Sequence, residues 1–220
     1  MSNCEAVDLP VVEAGLHQLR EVLRCLIHTI VFNRSLGYVK PKDVDSELFD
    51  VTYVACEDAG LEAAVEARIS ELCTTLERRP AASAQVRVGF YQTRKKAAWF
   101  GSKDERLYWE QWFINLSIVS PELIERDAYA TRRTSSGGGG IGGDGASPLH
   151  VRAEAGLSAA QAEVVRFVNE RRDHIPPVAS ASAVTFPFDI TMSGGSKTAF
   201  EAKLHEVKKM VLQAAPPPML

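Results

Sequence analysis

A strand, a basic turn and a second strand between Val86 and Val119 commit this chain to an antiparallel sheet. The first arm, Val86-Arg-Val-Gly-Phe-Tyr91, sets apolar Val86, Val88 and Phe90 at every second position, the period of a half-buried strand. The second arm repeats the pattern with Trp112, Ile114, Leu116 and Ile118, and Pro121 stops it. Between the arms the tip runs from Thr93 to Arg106. It carries five cations, Arg94, Lys95, Lys96, Lys103 and Arg106, around an adjacent Trp99-Phe100 pair. Burying each of those rings is favourable by roughly 1.5–3 kcal/mol. Two such side chains on a polar loop, outside any core-facing period, therefore either fold back into the core or anchor a partner.

The rest of the chain supplies the cover for that sheet. Glu5 to Val12 reads as a short strand despite Pro10, and Glu13 to Asn33 as a helix. Its apolar stripe is Leu16, Leu19, Leu23, Leu26, Ile27 and Ile30. The last turn, His28 to Arg34, is apolar on more than one face, so it sinks into the core or meets a partner. A polar loop through Pro41 follows, then a strand over Leu48–Val54 with Phe49, Val51 and Tyr53 in alternation. Asp58 caps a second helix whose inner face is Leu61, Val65, Ile69, Leu72 and Leu76, closed by Pro80. Ser120-Pro121-Glu122 opens a short helix towards Tyr129. Residues 131–148, rich in glycine, predict a flexible loop inserted in one domain. Ser158-Ala-Ala-Gln161 starts a further helix, with Val165 and Val168 inside, which Pro176-Pro177 ends. Val184, Phe186, Phe188, Ile190 and Met192 alternate as a strand that Pro187 confines to an edge or bulge. A last helix from about Lys197 carries Phe200, Leu204, Val207 and Val211, and residues 216–220 form a frayed tail. The sum is an α+β fold, one domain over residues 1–215, with an antiparallel-dominated sheet packed against helices.

Little in the chain points to catalysis. Cys25 and His28 lie one helical turn apart, but zinc needs three or four ligands, and core packing accounts for both. The remaining histidines stand in no recognisable nucleophile arrangement. The run Gly138–Gly143 satisfies GxGxxG only formally, with no strand before it and no helix after it. Gly195-Ser-Lys-Thr198 lacks the spacing of a phosphate loop and suits a helix cap better. No cofactor and no metal are expected, and no enzyme. The formal net charge of -3 argues against bulk nucleic-acid binding. Four scattered cysteines without a CxxC pair, no membrane-length apolar run and no signal-peptide pattern at the N-terminus describe a cytoplasmic protein.

Several stretches, in order and spacing, resemble one family. They are Leu26-Ile-His-Thr-Ile-Val-Phe-Asn-Arg-Ser-Leu-Gly37, Phe49-Asp-Val-Thr-Tyr-Val54, Phe90-Tyr-Gln92, the basic run with Trp99-Phe100, and Trp109-Glu-Gln-Trp112. Together they resemble the autophagy-related protein 101 family, most closely from Val12 to Val119. The resemblance implies a single HORMA domain without enzymatic activity. It implies a heterodimer with the HORMA domain of autophagy-related protein 13, and through it an indirect link to the autophagy-initiating kinase and its scaffold. It also implies an exposed Trp-Phe finger that recruits downstream factors at the phagophore assembly site. That role falls on Trp99 and Phe100, flanked by Arg94, Lys95 and Lys96. The pairing surface falls on the end of the first helix: His28, Val31, Phe32, Asn33 and Arg34. Animal members of the family carry a proline between the two aromatics, which are adjacent here. HORMA domains can use their C-terminal portion as a belt that closes over a partner segment, and the short connection between His174 and Val184 suggests one fixed belt-open form without closure. Other readings of the residues are a HORMA adaptor that captures a peptide, and a peripheral protein whose basic finger makes weak membrane contact.

Overall fold

In the computed structural model, β5 (Ser83–Ala98) and β6 (Gly101–Val119) form one long antiparallel ladder, the spine of the main sheet. The structure describes residues 4–36, 39–79, 81–98, 101–120, 147–178 and 183–194, the side chains of 96–98 and 101–103 excepted. β7 (Phe188–Gly194) pairs antiparallel with β5, from Ala84 opposite Gly194 to Phe90 opposite Phe188. On the other side of β6, β1 (Glu5–Asp8) and β2 (Val12–Gly15) run parallel to it in succession. A separate two-stranded ladder joins β3 (Pro41–Asp45) to β4 (Thr52–Cys56). Three helices complete the described residues: α1 (Leu19–Phe32), α2 (Ala59–Arg78) and α3 (Pro148–Glu170). The class is α+β, and antiparallel pairing carries most of the sheet.

One face of the sheet makes the core. Val86, Val88 and Phe90 of β5 and Trp112 and Ile114 of β6 are fully buried there, as their alternation predicts. They pack with Leu23, Leu26, Ile27 and Ile30 of α1, Ile69 of α2, and Leu157 and Val164 of α3. The α1 helix is buried almost all round, from Leu19 to Val31, so its excess apolar surface goes into the chain's own core. Gly156 lets α3 lie close on β2: a Cβ there would sit 3.4 Å from the Val12 Cα.

Several boundaries differ from those the sequence predicts, each for a local reason. The N-terminal strand breaks at Leu9–Val11, where Pro10 has no N–H for the ladder, and resumes as β2. β2 thus takes Val12–Gly15 from the expected helix, and a single 3-10 turn, Leu16–Gln18, precedes α1. The expected strand over Leu48–Val54 starts only at Thr52, because Ser46 N–H donates to the Val51 carbonyl at 2.9 Å and folds the chain back. β3 takes Pro41 from the end of the expected polar loop and runs on to Asp45, held by its backbone ladder to β4 rather than by burial. α3 begins ten residues before Ser158, capped by Ser147 with Pro148 in its first turn. Its inner face includes Val164, Phe167 and Val168, while Val165 is exposed. β7 starts just after Pro187 and lies at the sheet edge, where a residue without an N–H is tolerated. The predicted helices after Pro121 and Lys197, most of the glycine-rich stretch, residues 179–182 between His174 and Val184, and the tail lie outside the described residues.

Candidate functional site

The finger starts where β5 and β6 leave the rest of the sheet. The β5–β7 register ends at Phe90, but the β5–β6 ladder continues for eight pairs, from Tyr91 opposite Tyr108 to Ala98 opposite Gly101. A β-bulge marks the departure, between Phe90 and Tyr91. It leaves Trp109 and Glu110 together against Phe90, and both are buried. Beyond the bulge the alternation is reset, so Tyr108 falls on the sheet face opposite the core. Thr93, Arg94, Lys95, Asp104, Glu105 and Arg106 are exposed along this extension. The register sets Arg94 opposite Glu105 and Lys95 opposite Asp104, which offsets part of the positive charge. Lys96 is opposite Lys103. Trp99 and Phe100, which join the two strands, and the side chains of Lys96 and Lys103 lie outside the described residues.

The five residues assigned to the pairing surface divide. His28, Val31 and Arg34 are buried within the chain, while Phe32 and Asn33 are half-buried at the end of α1. His28 stacks near Tyr53, with ring centroids 5.9 Å apart, and its Nε2 lies 3.7 Å from the Glu66 carboxylate. Burial holds the imidazole below its ordinary pKa against the opposing pull of Glu66. Glu66 is itself held below the usual carboxylate range by the Arg24 guanidinium, which donates to both its oxygens. Burial pushes the nearby Cys25 thiol up to about 12, so at neutral pH it stands as the protonated thiol. Among the described residues no cluster of His, Cys, Asp or Glu is arranged to hold a metal ion.

Arg34 belongs to a buried network centred on Glu110. Its Nε and Nη2 donate to Glu110 at 2.9 and 2.8 Å. Trp112 Nε1 donates to the same carboxylate at 2.6 Å, and His174 Nε2 lies 2.6 Å from it. Glu110 is fully buried, and its four neighbouring groups come from the end of α1, from β6 and from the segment after α3. The network therefore fixes the turn after α1 that brings Asn33 to the end of α3. A cleft of about 220 Å³ lies there, lined by Asn33, Arg34, Val168, Asn169, Arg172 and Ile175. A signal did exist: Glu110 sits two residues before Trp112, in phase with the buried face of β6, where a carboxylate requires a buried cation.

A larger groove of about 1200 Å³ runs between α2 and the outer side of β7, past the finger base. Leu61, Ala64 and Arg68 of α2 face Leu107, Phe188 and Ile190 across it. Arg68 Nε donates to the Ile190 carbonyl at 2.8 Å, a side chain covering part of an edge strand's backbone. Among the described residues no helix is long and apolar enough to cross a membrane.

Comparison with known proteins gives a consistent answer. The family model for autophagy-related protein 101 matches residues 11–182. Autophagy-related protein 101 of Arabidopsis thaliana is 35% identical, over 99% of both chains. That of Schizosaccharomyces pombe is 25% identical over 97% of both. The Homo sapiens protein is 29% identical over 54% of this chain and 59% of its own.

Proposed function

From the premise that this chain belongs to the autophagy-related protein 101 family, and so has an autophagy role, we propose that it is a non-catalytic adaptor with two protein-binding surfaces. One surface pairs with the HORMA domain of autophagy-related protein 13 and links the chain to the initiating kinase and its scaffold. The other, the finger tip at Trp99 and Phe100, recruits downstream autophagy factors at the phagophore assembly site.

The observation that carries this reading is the eight-pair extension of β5 and β6 beyond the rest of the sheet. It is lined by exposed charge and leads to the Trp-Phe pair, the residue types that dominate binding hot spots. Arg94, Lys95 and Lys96 give the tip an attractive field for an acidic partner surface. At the other surface, Phe32 and Asn33 are the members of the α1 end available for contact. His28, Val31 and Arg34 act from beneath, by holding that end in place.

The test compares wild type, Trp99→Ala/Phe100→Ala and Phe32→Asp for capture of the purified partner HORMA domain and of proteins from cell lysate. The finger variant retains the HORMA domain and loses downstream factors. The Phe32 variant remains folded and loses the HORMA domain. If neither variant changes what is captured, both surfaces are misassigned. A second reading, peptide capture, draws on the groove beside edge strand β7. Ala64→Trp, which fills that groove, would weaken such capture and leave both other surfaces unaffected.

A further inference from the structure

A two-stranded ribbon does not hold its own direction. Isolated hairpins are marginally stable and twist more than strands inside a wider sheet. The extension beyond Tyr91 and Tyr108 has no third strand among the described residues, so whatever aims it must act at its base. The core cannot do so alone, because Tyr108, Arg87 and Gly89 fall on the face opposite the helices.

One side chain on that face ties the base together. Asp189, on β7, lies opposite Gly89 of β5. Its Oδ1 accepts from Arg87 Nη2 at 3.1 Å. Its Oδ2 accepts from Arg106 Nη1 at 3.3 Å and from the Tyr108 hydroxyl. Both arginines do further work. Arg87 lies 4.8 Å over the Tyr108 ring, and Arg106 lies 4.7 Å over the Tyr91 ring. The two tyrosines meet edge to face, with centroids 5.6 Å apart. Gly89 makes room for the arrangement: a Cβ there would lie 3.0 Å from the Tyr108 ring and 3.2 Å from Asp189 Oδ1. Asp189 thus joins an edge strand inside the sheet to two residues of the finger itself, and to Arg87 beside them.

We propose that Asp189 is a positioning residue for the finger. Its carboxylate pins the start of the β5–β6 extension to β7 and so fixes the direction in which the tip is presented. This rests on the reading that the tip binds other proteins, and it adds what aims it. The cluster is separable from the fold, because Asp189 and its partners lie at the half-exposed rim while Phe90, Trp109 and Ile190 behind them make the core.

The experiment uses the full chain as wild type, Asp189→Ala, Asp189→Asn and Trp99→Ala/Phe100→Ala. Hydrogen exchange is read for the amides of 92–97 and 102–107, and separately for α1 and α2. Capture is read with the purified partner HORMA domain and with the set of lysate proteins that the finger double variant fails to retain. Exchange in the extension should rise several-fold in Asp189→Ala and less in Asp189→Asn, which keeps an acceptor for Tyr108. Exchange in α1 and α2 should not change. Capture of the finger-dependent set should fall several-fold while HORMA-domain capture holds. Unchanged exchange in the extension overturns the proposal. So does exchange rising equally throughout the chain, the mark of a plain stability role, or full capture by a loosened finger. If the finger double variant loses nothing, the adaptor reading falls, and the exchange data still decide whether Asp189 pins the ribbon.

Discussion

Glu110→Gln is expected to be among the most damaging single-atom changes available in this chain. The wild-type carboxylate is fully buried and serves four donor groups: Arg34 Nε, Arg34 Nη2, Trp112 Nε1 and His174 Nε2. A glutamine offers one acceptor oxygen and turns an NH2 group towards the same donors. Each donor left unsatisfied costs about 1–3 kcal/mol, and removing one partner of a buried ion pair costs about 3–5 kcal/mol. Those figures describe the same loss and are not summed, so about 3–5 kcal/mol is expected. Against a total stability of about 5–15 kcal/mol that is a large fraction. For a chain of this size it corresponds to a melting point lower by about 6–20 °C. Urea unfolding followed by circular dichroism measures it. The paired variant Arg34→Met/Glu110→Leu separates the charge from the packing. It removes both charges together and should be more stable than either single variant, though not than wild type, because Trp112 and His174 lose their acceptor. A Glu110→Gln cost below about 1 kcal/mol would refute this reasoning. So would a double variant that loses the sum of the singles.

Two further outcomes follow from the same geometry. Because burial lowers the His28 pKa, the unfolded chain takes up a proton more readily than the folded one. The stability this group contributes is present above its ordinary value of about 6.5 and is lost as pH falls through the lower folded value. The urea midpoint of wild type should therefore drop further between about pH 7 and pH 5 than that of His28→Gln; parallel curves would exclude the assignment. At the start of α2, the Leu61 N–H donates to Asp58 Oδ1 at 2.7 Å, so Asp58→Ala should cost about 0.5–2 kcal/mol in the same assay. No measurable change would show that the cap is dispensable.

Sequence alone determined the parts of this protein that rest on periodicity and local chemistry. The alternation of Val86, Val88 and Phe90 against Trp112 and Ile114 determined the central hairpin and its buried face. The Leu61–Leu76 stripe and Asp58 determined α2 and its start. Trp99 and Phe100 stood out because no core-facing period explains them. The rest depended on neighbours distant in the chain. β3 is a strand only because β4 offers it a ladder, and an exposed, backbone-held strand leaves no apolar pattern to read. The fate of His28, Val31 and Arg34 turned on what packs around α1: the apolar excess at its end is compatible with a partner or with a core, and the core claimed these three. Glu110 meets Arg34 across 76 positions of sequence, and Asp189 meets Tyr108 across 81. A buried charge announces that it needs a partner, but which residue supplies it is decided by strand register and by a single bulge. Those are properties of backbone pairing, set only when the tertiary structure closes.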